Sequence, residues 1–486
     1  MKDTGFGSAR RRAGGYDPPW QGAFLRQRQV RVCVPARRKV ARAAGHLRHT
    51  DPLASAALGV TRPQTVAALG ITVFLCGLAV LAPRTMALML HHFLWLFFAI
   101  SIVFRGSMLA LSLKPERPQP LAPGARLPVY TILVPLYQES AVVDGLFSAI
   151  AALNYPHQKL DIKLLLEAGD THTIEAVTRL RAGPHWEAII TAPIGPATKP
   201  KALNAGLARA RGELVTIYDA EDRPHPDQLL HAAHAFACDS TGNLGCVQAP
   251  LGYYNANQNW LTRQFALEYA AHFHVLLPAM TRLGLVFPLG GTSNHFRRRA
   301  LRGVSGWDPY NVTEDADLGY RLGAGGWRLG VIAPPTMEEA ISRLRPWRRQ
   351  RSRWLKGYMQ TLGVHMRRPA GRNALAGAFS MTMTLGTSVF AALGYASFSI
   401  ITAAVLLLSP WTGFFPEPAD MALALAGFAV GGAMLAVGGH RAGIRFSVLD
   451  ILGAGLYWPL QSWAMVKAVH DLFVRPFHWE KTRHGQ

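Results

Sequence analysis

The chain has 486 residues, of which 50% are hydrophobic and only 16% are charged, and its formal net charge is +22. This composition is too apolar for an ordinary soluble enzyme and predicts a membrane protein with a folded part that faces water. The positive charge suits nucleic acid, anionic lipid or a phosphate-bearing substrate. Zinc-finger spacing and aromatic RNA-binding motifs are absent from the sequence, so no nucleic-acid partner is expected. The four cysteines form no CxxC pair, which fits a catalytic part in the reducing cytoplasm.

Residues 1–60 are rich in arginine, with runs such as Arg10–Arg12 and Arg37–Lys39. They show no apolar periodicity, which predicts a disordered basic arm. No apolar segment follows at the distance expected for a secretory signal peptide. The arm is expected to fix the membrane topology by its positive charge and to touch anionic lipid headgroups.

Residues 61–111 contain two uncharged apolar runs, Gln64–Ala82 and Met86–Phe104, separated by a short turn. Each run is long enough to cross a bilayer, so the segment is predicted to form a transmembrane hairpin. With the arginine-rich arm inside, the chain returns to the cytoplasm at Arg105.

Residues 112–372 begin with a proline-rich linker, after which apolar strand patterns alternate with helical periodicity. This alternation predicts an α/β fold with a mostly parallel, doubly wound sheet. The expected strands cover residues 129–136, 160–166, 188–191 and 214–218. In such sheets ligands bind at the carboxyl edge of the strands.

Three of these strands are followed by carboxylates. One acidic turn after a strand can simply be solvated, but three at the same edge indicate a divalent cation that holds a phosphate group. The acidic residues are Glu139 after the first strand, Glu167 and Asp170 after the second, and Asp219, Glu221 and Asp222 after the last.

Residues 373–473 are apolar again, and the runs Gly386–Leu408 and Met421–Gly439 are each long enough to span a bilayer. The apolar run that follows them is broken by Pro459, so it is either one span or a tight re-entrant hairpin. The predicted total is therefore five or six crossings. Residues 474–486 are basic and are expected to form a cytoplasmic tail.

Several motifs occur in a fixed order along the chain: YTILVPLYQE at residues 130–139, NYP at 154–156, the Asp219 cluster, TED at 313–315 and QRSRW at 350–354. This order resembles that of the processive membrane glycosyltransferases of family 2, which include cellulose and hyaluronan synthases. The resemblance covers roughly residues 125–365. It implies a GT-A type glycosyltransferase domain embedded between α-helical transmembrane segments.

The resemblance also implies an activity. The expected enzyme is an inverting, metal-dependent hexosyltransferase that moves a hexose from a nucleotide sugar, expected to be UDP-linked, onto a growing β-linked polysaccharide. It would act at the cytoplasmic face of the plasma membrane and export the product through its own helices; no export subunit is specified. Two alternatives stay open: non-processive transfer to a lipid-linked acceptor, and a non-catalytic membrane assembly component with a transferase fold.

By the same resemblance, Asp219 and Glu221 occupy the positions of the acidic metal motif, and Mg²⁺ or Mn²⁺ is the expected ion. The family usually has a second aspartate where this chain has Glu221. Either Glu221 or the adjacent Asp222 is therefore the second ligand. Asp222 has another interpretation as the N-cap of a helix over residues 226–238.

Four residues are implied to bind the nucleotide sugar. Glu167 corresponds to a family aspartate that faces the base and ribose, and the usual acidic pair is here spread to Asp170. Lys201 is expected to approach the diphosphate, with Lys199 as the second choice and a solvated helix start as the structural alternative. Arg353 is expected to bind the diphosphate in a bidentate manner.

Asp315 is the expected general base, because the matching aspartate in the family removes the proton from the acceptor hydroxyl. Glu314, Gln350 and Trp354 are expected on the acceptor side, where an indole can stack on a sugar face. A helical pattern begins at this point, so Glu314 is alternatively a partner of the helix dipole. The other arginines between residues 343 and 356 are expected to face lipid headgroups.

Overall fold

The computed structural model describes residues 28–114, 126–367, 374–413 and 417–478. The strands are β1 (Arg28–Gln29), β2 (Arg31–Cys33), β3 (Tyr130–Leu136), β4 (Leu160–Glu167), β5 (Arg181–Ala182), β6 (Trp186–Thr191), β7 (Leu214–Ile217), β8 (Arg223–Pro224), β9 (Leu244–Gln248), β10 (Leu251–Tyr253), β11 (Asn294–Arg297), β12 (Arg328–Val331) and β13 (Thr336–Glu338). The helices of the water-facing part are α1 (Arg37–Thr50), α4 (Val143–Ala151), α5 (Thr171–Arg179), α6 (Lys199–Leu207), α7 (Gln228–Ala237), α8 (Trp260–Ala271), α9 (Leu277–Arg282), α10 (Arg298–Gly303), α11 (Glu314–Ala324) and α12 (Leu344–His365). The flanking helices are α2 (Arg62–Leu81), α3 (Pro83–Ser112), α13 (Ala374–Met381), α14 (Thr387–Thr412), α15 (Pro418–Arg441), α16 (Val448–Tyr457) and α17 (Leu460–Val474).

An eight-stranded sheet forms the centre of the α/β domain, which comprises residues 126–367 and the edge strand β2, in the strand order β12-β9-β11-β7-β3-β4-β6-β2. All neighbours are parallel except β11, which runs antiparallel to both β7 and β9. Every residue of β7 and all but one of β3 and of β4 are buried. Strands covered on both faces appear in a sequence as continuous apolar runs, which is why the pattern predicted them. The prediction of a mostly parallel doubly wound sheet is confirmed.

A smaller sheet of β10, β13 and β8 lies beside the main one. Its strand β8 begins one residue after Asp222, and β13 pairs with β8 in the antiparallel direction. The end of β13 is thereby brought close to the acidic turn that follows β7.

The prediction of a disordered arm over residues 1–60 is wrong from residue 28 onward; residues 1–27 lie outside the described ranges. Strand β2 extends the main sheet by pairing in parallel with β6, with Val32 opposite Ala188. Helix α1 then packs against α6 through an apolar face whose helical spacing was obscured by the surrounding arginines. The buried residues of that face are Val40, Ala43, Ala44 and Leu47.

The chain between α1 and α2 is also fixed to the α/β domain. Ser55 Oγ and the Ala56 backbone N–H donate hydrogen bonds to the buried Asp308 carboxylate, at 3.1 and 2.6 Å. Arg367, just after α12, donates to the carbonyl oxygens of Leu53 and Ser55 at 3.0 and 2.7 Å. Residues 28–58 are thus part of the folded domain.

Four helical stretches in the described part of the chain are long and apolar enough to cross a membrane: residues 62–81, 83–112, 375–411 and 418–441. The predicted hairpin corresponds to α2 and α3. The third stretch joins α13 to α14 through a π-helical segment, Thr382–Gly386. These helices fit a membrane protein.

Around Pro459 the predicted single span or re-entrant hairpin corresponds to two short helices, α16 and α17, and stays a prediction. Trp458 and Pro459 both have right-handed helical dihedrals, so α16 and α17 meet at a kink without reversing direction. Asp450 at the start of α16 is paired with Arg263 of α8 at 3.0 Å, and Lys356 of α12 donates to the carbonyl of Arg475 after α17. The unit contacts the α/β domain at both ends and also packs against α14, where the Ala396 backbone N–H donates to Ser462 Oγ at 3.0 Å.

Helix α15 meets the α/β domain at a very close backbone contact. A Cβ added at Gly438 would lie 2.5 Å from the backbone nitrogen of Ala271 at the end of α8. Only glycine permits this approach, because backbone atoms cannot move aside as a flexible side chain can.

We expect the substitution Gly438→Ala to lower the unfolding temperature of the purified protein, because the added methyl group overpacks the junction and costs about 1–3 kcal/mol. Gly77→Ala on α2 is the matched control, since no atom lies within 4 Å of its added Cβ. Thermal unfolding of both variants in the same detergent measures the difference. Equal unfolding temperatures would show that α15 does not dock through Gly438.

Candidate active site

One cavity of about 2100 Å³ runs along the carboxyl edge of the main sheet and continues between the membrane helices. Most of the residues singled out in the sequence line its wall: Glu167, Asp219, Glu221, Glu314, Asp315, Gln350, Arg353 and Trp354. Asp170, Asp222 and Lys201 are not among the lining residues. The geometry therefore divides the predicted set into residues that face a ligand space and residues that lie behind it.

Lys199, at the start of α6, is the lysine that the structure places in the acidic centre. Its ammonium group lies 2.5 Å from a carboxylate oxygen of Asp219 and donates to the carbonyl of Gly291 at 2.8 Å. Burial alone would lower the pKa of Lys199, but the carboxylates of Asp219 and Glu314 outweigh it and raise that pKa. Lys201 is instead fully buried, with its ammonium 2.9 Å from Glu167.

Asp222 shapes the turn that carries Asp219. One carboxylate oxygen of Asp222 accepts hydrogen bonds from the Asp219 backbone N–H, at 2.7 Å, and from the Thr292 hydroxyl. The alternative of an N-cap is contradicted, because α7 begins at Gln228 and Asp227 is the residue before it. The other oxygen of Asp222 is buried and has no hydrogen-bond partner in the described structure. Burial first, and then Glu338 and Asp219, raise the pKa of Asp222 well above its usual value.

Asp170 has a similar supporting position. Its carboxylate accepts from the backbone N–H of Thr173 and so caps α5. It also accepts from the backbone N–H of Gln138, whose φ of 55° lies in the left-handed region. Asp170 therefore stabilises the turn after β3.

Glu338 lines the cavity and was not identified from the sequence. It is the last residue of β13, and the pairing of β13 with β8 brings it beside the Asp219 turn. Burial, followed by Glu221 and Asp219, raises the pKa of Glu338 well above its usual value. The available signal was a fourth strand ending in an acid, but a strand of three residues is too short to recognise from its pattern.

The acidic centre fits a divalent cation that is shared with a phosphate ligand. Among the described residues no group of three or more acidic, histidine or cysteine side chains is close enough to hold a metal ion unaided. Mg²⁺ and Mn²⁺ are commonly bound by one or two carboxylates and completed by substrate phosphates and water. Asp219 and Glu221 face the cavity as such ligands would, and their repulsion of Glu338 is what a bound cation would relieve.

Asp315 and Glu314 stand in the first turn of α11. Thr313 before them makes no side-chain capping bond, while one Asp315 oxygen accepts from the Ala316 N–H at 2.8 Å. Burial raises the pKa of Asp315, and burial together with Asp315 raises that of Glu314. Gly291 lies close by, because a Cβ added there would be 3.3 Å from Asp315 Oδ2.

Trp354 is held on α12 by aromatic neighbours. Its ring stacks on Tyr269 with centroids 6.0 Å apart and planes 29° apart, and the Arg351 guanidinium lies 4.6 Å from its centre. Arg351 pairs with both oxygens of Glu268 and donates to the Tyr457 hydroxyl. The expectation that the remaining arginines face lipid headgroups is wrong for Arg351, because its charge is buried inside this network.

The membrane section of the cavity is mainly apolar. Its wall comes from α3, α14 and α15 and includes Leu94, Phe98, Phe390, Leu393, Met421 and Phe428. Hydroxyl groups such as those of Ser397 and Thr402 are interspersed. At the end far from the acidic centre, His91 Nε2 lies 3.5 Å from Asp420 Oδ1.

We expect Glu338→Gln to raise the unfolding temperature at pH 8 in a chelating buffer, because it removes a carboxylate that burial and Glu221 disfavour. The pKa of Glu338 is higher in the folded state than in the unfolded chain, where it is about 4.3. The free energy of unfolding therefore falls as the pH rises above that value. The gain should vanish below that pH. Glu175→Gln is the control, since Glu175 forms an exposed pair with Arg179 at 3.2 Å. An equal shift in both variants would contradict the prediction.

Comparisons with known proteins agree with this fold. Residues 214–459, more than half of the chain, match the family model described as glycosyl transferase family group 2. A beta-monoglucosyldiacylglycerol synthase of Synechocystis is 26% identical over 286 residues, which cover 57% of this chain and 59% of that protein. A probable glucomannan 4-beta-mannosyltransferase 3 of Oryza sativa is 26% identical over 242 residues, which cover 47% of this chain and 43% of that protein. The chain therefore matches only 43–59% of the length of these relatives.

Among solved structures, the mannosyltransferase PcManGT of Pyrobaculum calidifontis, in complex with GDP-Man and Mn²⁺, superposes with a TM-score of 0.51 at 19% identity. The superposition covers 78% of this chain and 99% of that one, and it confirms the GT-A type of fold. The narrower resemblance to processive synthases stays a prediction. On the family match, the chain belongs to glycosyl transferase family group 2.

Proposed function

We propose that the chain transfers a hexose, with inversion, from a nucleotide sugar to an acceptor that enters from the membrane. The observation that carries this proposal is the single cavity that joins Asp219 and Asp315 to α3, α14 and α15. The α/β domain is the catalytic domain, on the cytoplasmic face of the plasma membrane, with the spans 62–81 and 83–112 before it and two more after it.

The donor diphosphate binds at the acidic centre. Asp219 and Glu221 would hold Mg²⁺ or Mn²⁺, and the bound ion would supply positive charge for the leaving diphosphate. The Lys199 ammonium and the Arg353 guanidinium lie on the same cavity wall and add positive charge from the protein. Glu167 faces the nucleotide and is paired with the buried Lys201, whereas Asp170 stabilises the turn after β3 and caps α5. The presence of GDP-Man and Mn²⁺ in the PcManGT complex supports this arrangement.

Asp315 acts as the general base. It accepts the proton of the acceptor hydroxyl while that oxygen attacks the anomeric carbon and the bond to the nucleotide diphosphate breaks. Burial raises the pKa of Asp315, which makes its carboxylate a better proton acceptor than an exposed aspartate. Trp354 offers the acceptor sugar or headgroup an aromatic surface that Tyr269 and Arg351 hold in place.

The apolar wall of the membrane section favours an acceptor with hydrocarbon chains. Acyl or isoprenoid chains are stabilised there, whereas the hydroxyls of a polysaccharide would lose water without gaining enough partners. The similarity to a beta-monoglucosyldiacylglycerol synthase supports this choice. Transfer to a lipid acceptor is therefore placed before the polysaccharide that the motifs alone favoured.

Polysaccharide synthesis is the second candidate, and a specific observation favours it. The cavity continues past the hydroxyls of Ser388, Ser397 and Thr402 to His91 and Asp420 at the far end of the span helices. The similarity to glucomannan mannosyltransferases points the same way. The joint presence of Asp219, Asp315 and Arg353 in one cavity argues against a non-catalytic assembly component.

The decisive experiment is product analysis of the purified protein in lipid, with a panel of UDP- and GDP-hexoses and Mg²⁺ or Mn²⁺. We expect a labelled glycolipid, and we expect Asp315→Asn to lower its formation by at least about a hundredfold because the base is lost. A long polymer would establish the second candidate. No product with any donor, or full activity of Asp315→Asn, would contradict the proposal.

Gly291→Ala is expected to lower kcat by about tenfold with little change in the unfolding temperature. The added Cβ would lie 3.3 Å from Asp315 Oδ2 and would displace the base from its reacting position. Steady-state kinetics with saturating donor measures the effect. Gly363→Ala on α12 is the control, because its added Cβ has no neighbour within 4 Å. Unchanged kcat in Gly291→Ala would place the reacting atoms elsewhere.

A further inference from the structure

Arg105 lies in the wall of the cavity at the level where the membrane helices meet the catalytic domain. It belongs to the last third of α3 and its side chain is half-buried. One turn earlier on the same helix, Ser101 Oγ lies 3.2 Å from Thr387 Oγ1 of α14, so α3 and α14 touch just beyond it. Arg105 thus stands between the acidic centre and the apolar section.

Within the ranges that the structure describes, no hydrogen bond or ion pair is found for the Arg105 guanidinium. Other arginines in the cavity wall differ in this respect: Arg351 is held by Glu268, and Arg353 donates to the carbonyl of Val312. A charged side chain within a spanning helix is costly and normally faces a partner or a functional pathway. The position of Arg105 therefore indicates that its partner is an anion that enters the cavity.

Two neutral hydrogen-bonding groups accompany Arg105. His272 and Tyr395 also line the cavity, and each lies within electrostatic range of the Arg105 charge. Burial, followed by Arg105, lowers the pKa of His272 to about 4, so its ring is neutral and keeps one N–H donor at neutral pH. The Tyr395 ring is fixed by stacking on Trp458, with centroids 6.1 Å apart and planes 18° apart. Neither polar side chain has a hydrogen-bond partner among the described residues.

We propose that Arg105, with His272 and Tyr395, binds the phosphoryl group of a membrane lipid whose hydrocarbon chains occupy the apolar section of the cavity. A guanidinium group and two neutral donors match the several oxygens of a phosphate ester, which a guanidinium can bind through two parallel hydrogen bonds. The inference rests on the proposed function, since it assumes that the cavity admits a lipid from the membrane. The phosphoryl group belongs either to the acceptor itself or to a bilayer phospholipid that occupies the site.

The test measures binding of two probes with identical acyl chains, phosphatidic acid and diacylglycerol, to the full-length protein in detergent. We expect phosphatidic acid to bind more tightly, and we expect Arg105→Gln to weaken its binding at least tenfold while diacylglycerol binding stays unchanged. Arg105→Lys should keep part of the affinity, because it retains the charge without the planar fork. Arg84→Gln is the matched control, since Arg84 is exposed on the same helix and does not line the cavity. Unfolding temperatures verify that each variant is folded.

Equal binding of phosphatidic acid to the wild type, Arg105→Gln and Arg84→Gln would overturn the inference. An assay of hexose transfer with a labelled donor shows whether the phosphoryl group belongs to the acceptor or to a bilayer phospholipid. A labelled product formed on phosphatidic acid identifies the acceptor phosphate. A product on another acceptor, with phosphatidic acid binding still dependent on Arg105, identifies a bilayer phospholipid. Failure of the proposed function is separately visible as absence of any labelled product while lipid binding still responds to Arg105.

Discussion

The ammonium group of Lys199 is the constraint on which the candidate catalytic centre depends. It reaches the Asp219 carboxylate at 2.5 Å and the Gly291 carbonyl at 2.8 Å, and it lies in the field of Glu314 and Asp315. Three segments distant in sequence are therefore joined at one atom: the start of α6, the turn after β7 and the glycine-rich turn before β11. Buried carboxylates are tolerated only when they are paired, so a single cation decides how these segments meet.

Lys199 does not balance all of the negative charge around it. Burial and neighbouring acids raise the pKa values of both Asp222 and Glu338 well above their usual range. A site that carries such repulsion when empty gains stability when a cation and a diphosphate arrive together, and it has less affinity for the diphosphate alone. If the proposed function holds, part of the stability of the fold is given up to prepare the donor site, as is common where activity requires unfavourable charge.

Features that depend on local periodicity could be predicted from the sequence. The direction in which a side chain points could not. The strands, the carboxylates at their ends and the long apolar helices all follow from patterns within a few residues. Periodicity could not show whether Lys199 or Lys201 faces the cavity. Side chains two residues apart on a helix point to nearly opposite sides, and only the packing of α6 shows which side faces the cavity. Helix α1 was hidden because arginines dominate its composition, although Val40, Ala43, Ala44 and Leu47 have helical spacing. Glu338 becomes part of the site only through the pairing of β13 with β8, which joins distant segments.

The charged residues along the cavity favour different phosphate groups at different positions: a donor diphosphate with its cation, and a lipid phosphate. A donor diphosphate that carries a divalent cation is nearly neutral and can approach Asp219 and Glu221, whereas a bare lipid phosphate is repelled by the carboxylates of the same centre. In the proposed arrangement, Arg105 would bind that second phosphate at the boundary with the apolar section, before it reaches the carboxylates. The hydrocarbon chains of that lipid would stay among Leu94, Phe98 and Phe390. Donor and acceptor can thus occupy one continuous cavity from opposite ends, because each end favours a different net charge.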